Sequence, residues 1–114
     1  MKVRRGDIVL VDLDPVKGSE QGKTRPAVVI QNNVGNKHSP TTIVAPLTSS
    51  YRKVYPVNVE VESGENGLVK DSIILLNQIV TVDIESRVLK KLGKLSPERM
   101  KKVDSAIKIS LALN

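Results

Sequence analysis

The sequence predicts a mainly β protein of the α+β class, a small and partly open barrel with one helix at its C-terminal end. Three observations carry that prediction. Short runs of Val, Ile and Leu recur between turn signals: "DIVLVDL" at 7–13, "RPAVVIQN" at 25–32 and "TTIVAPLTS" at 41–49. In "VNVEVE" the alternation places Val57, Val59 and Val61 on one face and Asn58, Glu60 and Glu62 on the other. Only after Ser96 does the period lengthen to three and four, setting Met100, Val103, Ile107 and Leu111 opposite Lys101, Asp104 and Lys108.

A chain of 114 residues suits one domain, 1–114, and no repeat or linker divides it. Asp14-Pro15 closes the first strand as a turn. Pro26 is tolerable only near the start of the second or on an edge, and Pro46 asks the same of the third, or a bulge. Between them "NVGNKHSP" reads as a loop. "SGENG" reads as a turn, "DSIILLNQIVTVDI" as a buried strand broken near Leu76-Asn77-Gln78, and "VLKKLGKL" as one more short strand. Ser96 supplies a helix N-cap, Pro97 a first-turn proline, and Glu98 an anion where the helix dipole favours one. A barrel this small has a limited core, which makes help from a second subunit physically reasonable.

Composition removes whole classes of chemistry. With no cysteine there is no disulfide, thiolate metal site or cysteine nucleophile. His38 is the only histidine and lies in the Gly/Asn/Ser/Pro loop, so neither a two-histidine nuclease nor a zinc site of standard spacing can be built. Asp7 and Asp12 bracket an apolar run too short for a signal peptide or membrane span, and a cytoplasmic protein is expected. Eighteen Lys and Arg against twelve Asp and Glu give a formal charge of +6, which points to an anionic partner, nucleic acid or acidic protein.

Few residues remain to do chemistry. Asp12 and Asp14 could face one way as magnesium ligands, but no third carboxylate lies at a telling distance and "DLDP" also reads as strand and turn; no metal or cofactor is assigned. If 25–32 and 41–48 form an antiparallel hairpin around Gly35-Asn36-Lys37-His38, paired positions sum to about 73. Arg25 then faces Thr48 on the same side of the sheet. The loop before Arg25 offers Ser19, Glu20 and Gln21 between Gly18 and Gly22, glycines that let backbone approach a ligand closely. Arg presents a planar fork to phosphate oxygens, and Thr can donate to an oxygen on which charge grows. In RNA the neighbouring 2'-OH can be the nucleophile, so such a pair would cut without metal, histidine or covalent intermediate; DNA lacks that group. Arg is a poor general base, so base, acid and electrostatic clamp all stay open for Arg25. "SSYRKVYP", at 49–56, sets Tyr51 and Tyr55 around Arg52 and Lys53, either a stacking and cationic surface for single-stranded bases or an edge cap with wet hydroxyls.

Taken together, the chain resembles the MazF/PemK family of toxin endoribonucleases from toxin-antitoxin modules. The resemblance rests on Arg5-Gly6-Asp7-Ile8, Asp12-Leu13-Asp14-Pro15, Gly18-Ser19-Glu20-Gln21, Arg25-Pro26-Ala27-Val28-Val29-Ile30, Thr48 and Asn77-Gln78-Ile79, in order over nearly the whole chain. It implies an SH3-like barrel of the MazF/PemK/CcdB kind, acting as a homodimer. The implied activity is metal-independent cleavage of single-stranded RNA at a short preferred sequence, leaving a 2',3'-cyclic phosphate and a 5'-hydroxyl. The resemblance also implies an acidic, MazE-like antitoxin across the RNA site, Arg25 and Thr48 as the catalytic pair, and Ser19, Glu20, Gln21 and Gln78 as substrate-contacting or supporting residues. Many relatives carry Trp or Phe in the first strand; this chain has Val9, Leu10 and Val11. Two other readings compete. One is a CcdB-like toxin that binds DNA gyrase without catalysis, and the other is a plain RNA-binding SH3-like module; the GSEQ loop beside Arg25 favours the nuclease.

Overall fold

The computed structural model describes residues 1–64 and 66–114. Among these, the elements run β1 (Asp7–Asp12), β2 (Thr24–Val29), α1 (Asn33–His38), β3 (Thr41–Thr48), β4 (Asn58–Val61), β5 (Ser72–Leu75), β6 (Val80–Asp83), α2 (Ile84–Arg87), β7 (Val88–Lys94) and α3 (Pro97–Leu111). All pairings are antiparallel, in the order β4-β5-β3-β2-β1-β7 with β6 also on β3. The expected mainly β architecture with a terminal helix is the one observed.

Both faces of the central strands are covered, which is why β1 and β2 read as continuous apolar runs rather than as alternation. Ile8, Val28, Ala45, Leu47 and Ile74 form a core under α3 with Val103 and Ala106. Their neighbours Val9, Val11, Ala27, Val29 and Val44 point the other way and pack with Val82, Ile84 and Val88. Each large aliphatic side chain taken fully out of water contributes about 1.5–3 kcal/mol, so a core without Phe or Trp is built from many such increments.

β3 is the hub. One edge pairs with β2 through Ala27↔Pro46, Val28↔Ala45 and Val29↔Val44, the register summing to 73. Its other edge pairs with β6 over Thr41–Val44 and with β5 at Leu47 and Thr48. Pro46 therefore lies in an interior strand rather than on an edge. It is accommodated because the residue without an N–H stands where that edge passes from one partner to the next. Pro26 is placed as expected: it pairs with Leu10 on β1, while the β2–β3 ladder starts only at Ala27.

The segment expected as a loop, "NVGNKHSP", contains α1. Asn32 caps it, its side chain accepting from the Gly35 N–H at 2.8 Å. Asn36 is buried, donating to the Gln31 carbonyl and accepting from the Gln31 amide and, at 2.6 Å, from the Thr42 hydroxyl. A buried polar cluster thus holds a short helix that periodicity does not reveal. His38 ends it, exposed to solvent. α2 is likewise absent from the sequence pattern. Asp83 caps it, and hydrogen bonds from the Ser86 hydroxyl and amide hold the Asp83 carboxyl below its ordinary value, so the cap outlasts an average aspartate as pH falls.

α3 starts as foreseen, with the Ser96 side chain accepting from the Arg99 N–H. It buries Val103 and Ala106 but leaves Ile109 and Leu111 exposed, so the apolar stripe expected to run to Leu111 ends a turn earlier. The Arg5 guanidinium ties the helix to the sheet, donating to the Ile30 carbonyl and pairing with Asp104.

The barrel is partly open. β4 and β7 end the strand order, and the turn after β4 meets β7 backbone to backbone. A Cβ on Gly67 would overlap the Leu92 carbonyl oxygen, and one on Gly93 would overlap that of Asn66. Within "SGENG", Glu65 lies outside the described residues.

Candidate active site

The β1–β2 connection, 13–23, is organised by its own polar groups. The Leu13 N–H donates to the Lys23 carbonyl at 2.9 Å, and the Lys23 N–H to Asp14 Oδ1 at 2.7 Å, closing the loop at its base. Asp12 Oδ1 accepts from the Asp14 N–H. The two aspartates that spacing alone would allow as magnesium ligands thus serve backbone amides. Glu20 does likewise, its carboxylate accepting from the Lys17 N–H at 2.8 Å. Gly22 is required by proximity, since a Cβ there would overlap a Val16 methyl and crowd Asp14 Oδ1.

Gln78, at the break between β5 and β6, fastens this loop from across the sheet. Its Oε1 accepts from the Gln21 N–H at 2.8 Å, and its Nε2 donates to the Ser19 carbonyl. Ser19, Glu20, Gln21 and Gln78 therefore line one cleft of about 620 Å³, with Val16 and Ile79 as apolar wall. Gln21 Oε1 is buried there without a hydrogen-bond partner among the described residues.

Continued past its last observed pair, Ala27↔Pro46, the β2–β3 register would set Arg25 and Thr48 level on one side of the sheet. Pro26 and Pro46 each lack an N–H, and the β2–β3 ladder stops short of this level while Thr48 pairs with Ile73 on β5. Arg25 is half-buried and its Nε donates to the Gly22 carbonyl at 2.8 Å, which fixes the stem of the guanidinium and leaves the terminal nitrogens to a ligand. Thr48 is 7% exposed; its hydroxyl oxygen accepts from the Ser50 N–H at 3.2 Å, and its O–H donates to the Ser50 carbonyl at 3.4 Å, a long contact that a phosphate oxygen would have to displace.

Neither Arg25 nor Thr48 lines the cleft of Ser19, Glu20, Gln21 and Gln78, and the remaining candidates lie elsewhere again. Tyr51 lines a separate hollow of about 240 Å³ beside Glu60, Glu62 and Asp71, an acidic setting unsuited to an anionic chain. Arg52 and Lys53 are exposed, with the Lys53 ammonium 5.3 Å from the centre of the Tyr55 ring. Two residues of the site carry no sequence signal. Arg87 of α2 reaches the loop base, its Nη1 donating to the Asp12 and Asp14 carbonyls, and it lines the same cleft. Lys23 holds φ at 63°, a left-handed backbone that costs an L residue roughly 1–2 kcal/mol. A one-turn helix and a strained φ leave no trace in composition or period.

Known proteins share this arrangement of strands and helix. A sequence model described as PemK-like, MazF-like toxin of type II toxin-antitoxin system matches residues 4–111. The chain is 53% identical over 113 residues to the endoribonuclease MazF of Staphylococcus saprophyticus, covering 98% of this chain and 93% of that protein. Among solved structures, MazF from Deinococcus radiodurans superposes with a TM-score of 0.85 at 23% identity, covering 99% of each chain. An endoribonuclease in complex with its cognate antitoxin from a mycobacterial species gives 0.80 at 22% identity, over 98% of this chain and 97% of that one.

Proposed function

This chain belongs to the PemK-like, MazF-like toxins of type II toxin-antitoxin systems, and on that premise we propose that it is an endoribonuclease toxin, cutting single-stranded RNA and restrained by an acidic antitoxin. What supports the reading is the β2–β3 register, which if continued sets Arg25 level with Thr48, together with the hydrogen bond that ties Arg25 to the base of a pinned polar loop. In the proposed reaction the 2'-oxygen attacks the adjacent phosphorus while the bond to the 5'-oxygen breaks. A 2',3'-cyclic phosphate and a 5'-hydroxyl result, the 2'-OH proton passing to water and one proton arriving on the departing 5'-oxygen. The Arg25 guanidinium holds two phosphate oxygens and can supply that arriving proton, and the Thr48 hydroxyl donates to a non-bridging oxygen as its charge grows. The nucleophile belongs to the substrate, so the reaction asks for no metal. Residues 1–114 act as one unit in a cytoplasmic homodimer, and the +6 charge favours the approach of both RNA and an acidic antitoxin.

The direct test is incubation with a long mixed-sequence RNA in EDTA. Cleavage at a few recurring sites with cyclic phosphate ends is expected. Intact RNA together with inhibited DNA gyrase would assign the chain to the non-catalytic toxins instead. A rotation of the Gln21 side chain into the cleft it lines would offer its amide to a base edge, and Gln21→Leu tests that pairing. Removing a buried acceptor that has no partner leaves thermal stability unchanged or raised, whereas cleavage at the preferred sequence falls by about ten- to a hundred-fold. Equal loss at all sequences would mean that Gln21 does not read a base.

A further inference from the structure

Arg25 borders a cavity of about 390 Å³ that is separate from the cleft that Gln78 closes, which Arg25 does not line. Lys23 from the β1–β2 loop and Lys70 from the β4–β5 connection line it together with Arg25 and Ser49, over Leu47 and Leu68. Val69 also lines it at 93% exposure, the most exposed large apolar side chain among the described residues, although its neighbour Leu68 is buried. The turn that presents it is fastened: the Lys70 carbonyl accepts from the Ser72 hydroxyl at 3.1 Å, and Asp71 from the Ser63 N–H at 2.8 Å.

Lys23 is held in a left-handed backbone, φ 63°. Besides Ala112, which caps α3, it is the only non-glycine residue with positive φ among those described. Both of its backbone groups are clamped, to Asp14 Oδ1 and to the Leu13 N–H. A glycine would carry this backbone without strain, so the strained lysine points to work for its side chain.

We propose that this cavity is a nucleotide subsite for RNA, taking the residue that adjoins the scissile phosphate. Lys23 and Lys70 hold its phosphate from two separate loops, and its base lies on the exposed Val69. The inference rests on the nuclease reading, because an RNA whose phosphate sits on Arg25 must lead its next nucleotide into a space that Arg25 borders. An acidic peptide is under no such covalent constraint.

The test combines kinetics with salt dependence. In the active protein, Lys23→Gly with Lys70→Ala is expected to raise KM for a mixed-sequence RNA about ten-fold with kcat nearly unchanged. In a Thr48→Ala background, used to bind RNA without cutting it, the slope of log K against log salt is expected to become shallower by about 0.7, because one phosphate is no longer neutralised. Lys23→Gly alone should leave thermal stability unchanged or raised, which a structural lysine would not do. An unchanged KM and salt slope in a protein that cuts RNA would overturn the subsite. So would a defect confined to binding an acidic antitoxin peptide, which would make the cavity a protein-docking surface. If the double variant fails to fold, Lys70→Glu, outside the strained loop, is read in the same way. Failure of the unsubstituted protein to cut would instead defeat the nuclease reading itself.

Discussion

Arg25→Ala is expected to lower single-turnover cleavage of RNA by about a thousand-fold or more, with the fold intact. The magnitude follows from removing an oriented donor to a phosphate on which charge develops, worth roughly 10²–10³ in rate, together with any proton it supplies. Stability should fall by no more than about 1 kcal/mol, since the side chain is half-buried and its one hydrogen bond goes to the Gly22 carbonyl. Arg25→Lys separates charge from shape: an ammonium keeps the charge but not the planar fork, so it should recover only a small part of the activity. Cleavage by Arg25→Ala within about ten-fold of the parent would place the chemistry elsewhere. A denaturant midpoint on each variant distinguishes lost chemistry from lost fold.

Gly67→Ala should produce the largest change in stability. A Cβ at this position would overlap the Leu92 carbonyl oxygen, and φ of 74° is unfavourable for an L residue. Overpacking costs typically about 1–3 kcal/mol and the left-handed backbone roughly 1–2 more. A loss of about 3 kcal/mol is expected, seen as a drop in Tm of roughly 12–24 °C. Serine should behave as alanine does, since the objection is to any Cβ. A drop of only a degree or so would mean that the two ends of the sheet need not meet this closely.

How far the sequence carries depends on the range of the signal. Strand alternation, the placement of Pro26 and the Ser96-Pro97 start of α3 are local, and the structure keeps them. The sum of 73 is legible because a hairpin's register follows from one pairing, even though its connection is a helix rather than a loop. α1 and α2 are not legible. Both are short, and α1 is held by a buried amide network whose members, Gln31, Asn36 and Thr42, announce no period. Leu111 departs from its expected burial because the 3.6-residue period continues past the last turn that the sheet covers.

The candidate site divides along the same line. Arg25, Thr48 and the polar loop could be named from residue type, spacing and the family resemblance. Their surroundings could not: Gln78 pinning Ser19 and Gln21, Arg87 bracing the loop base, and the separation of Tyr51 into an acidic hollow all join positions far apart in the chain.

By itself, then, the sequence determined the strands, the terminal helix, the hairpin register, the basic charge and the residue types able to grip a phosphate. Each of these is written in composition or in neighbours a few positions apart. Tertiary structure alone decided which loops meet, where the glycine backbones touch, and that Lys23 is strained beside a second cavity. Those outcomes are set by contacts across the sheet, where steric fit and hydrogen-bond satisfaction act between residues that carry no mark of one another along the chain.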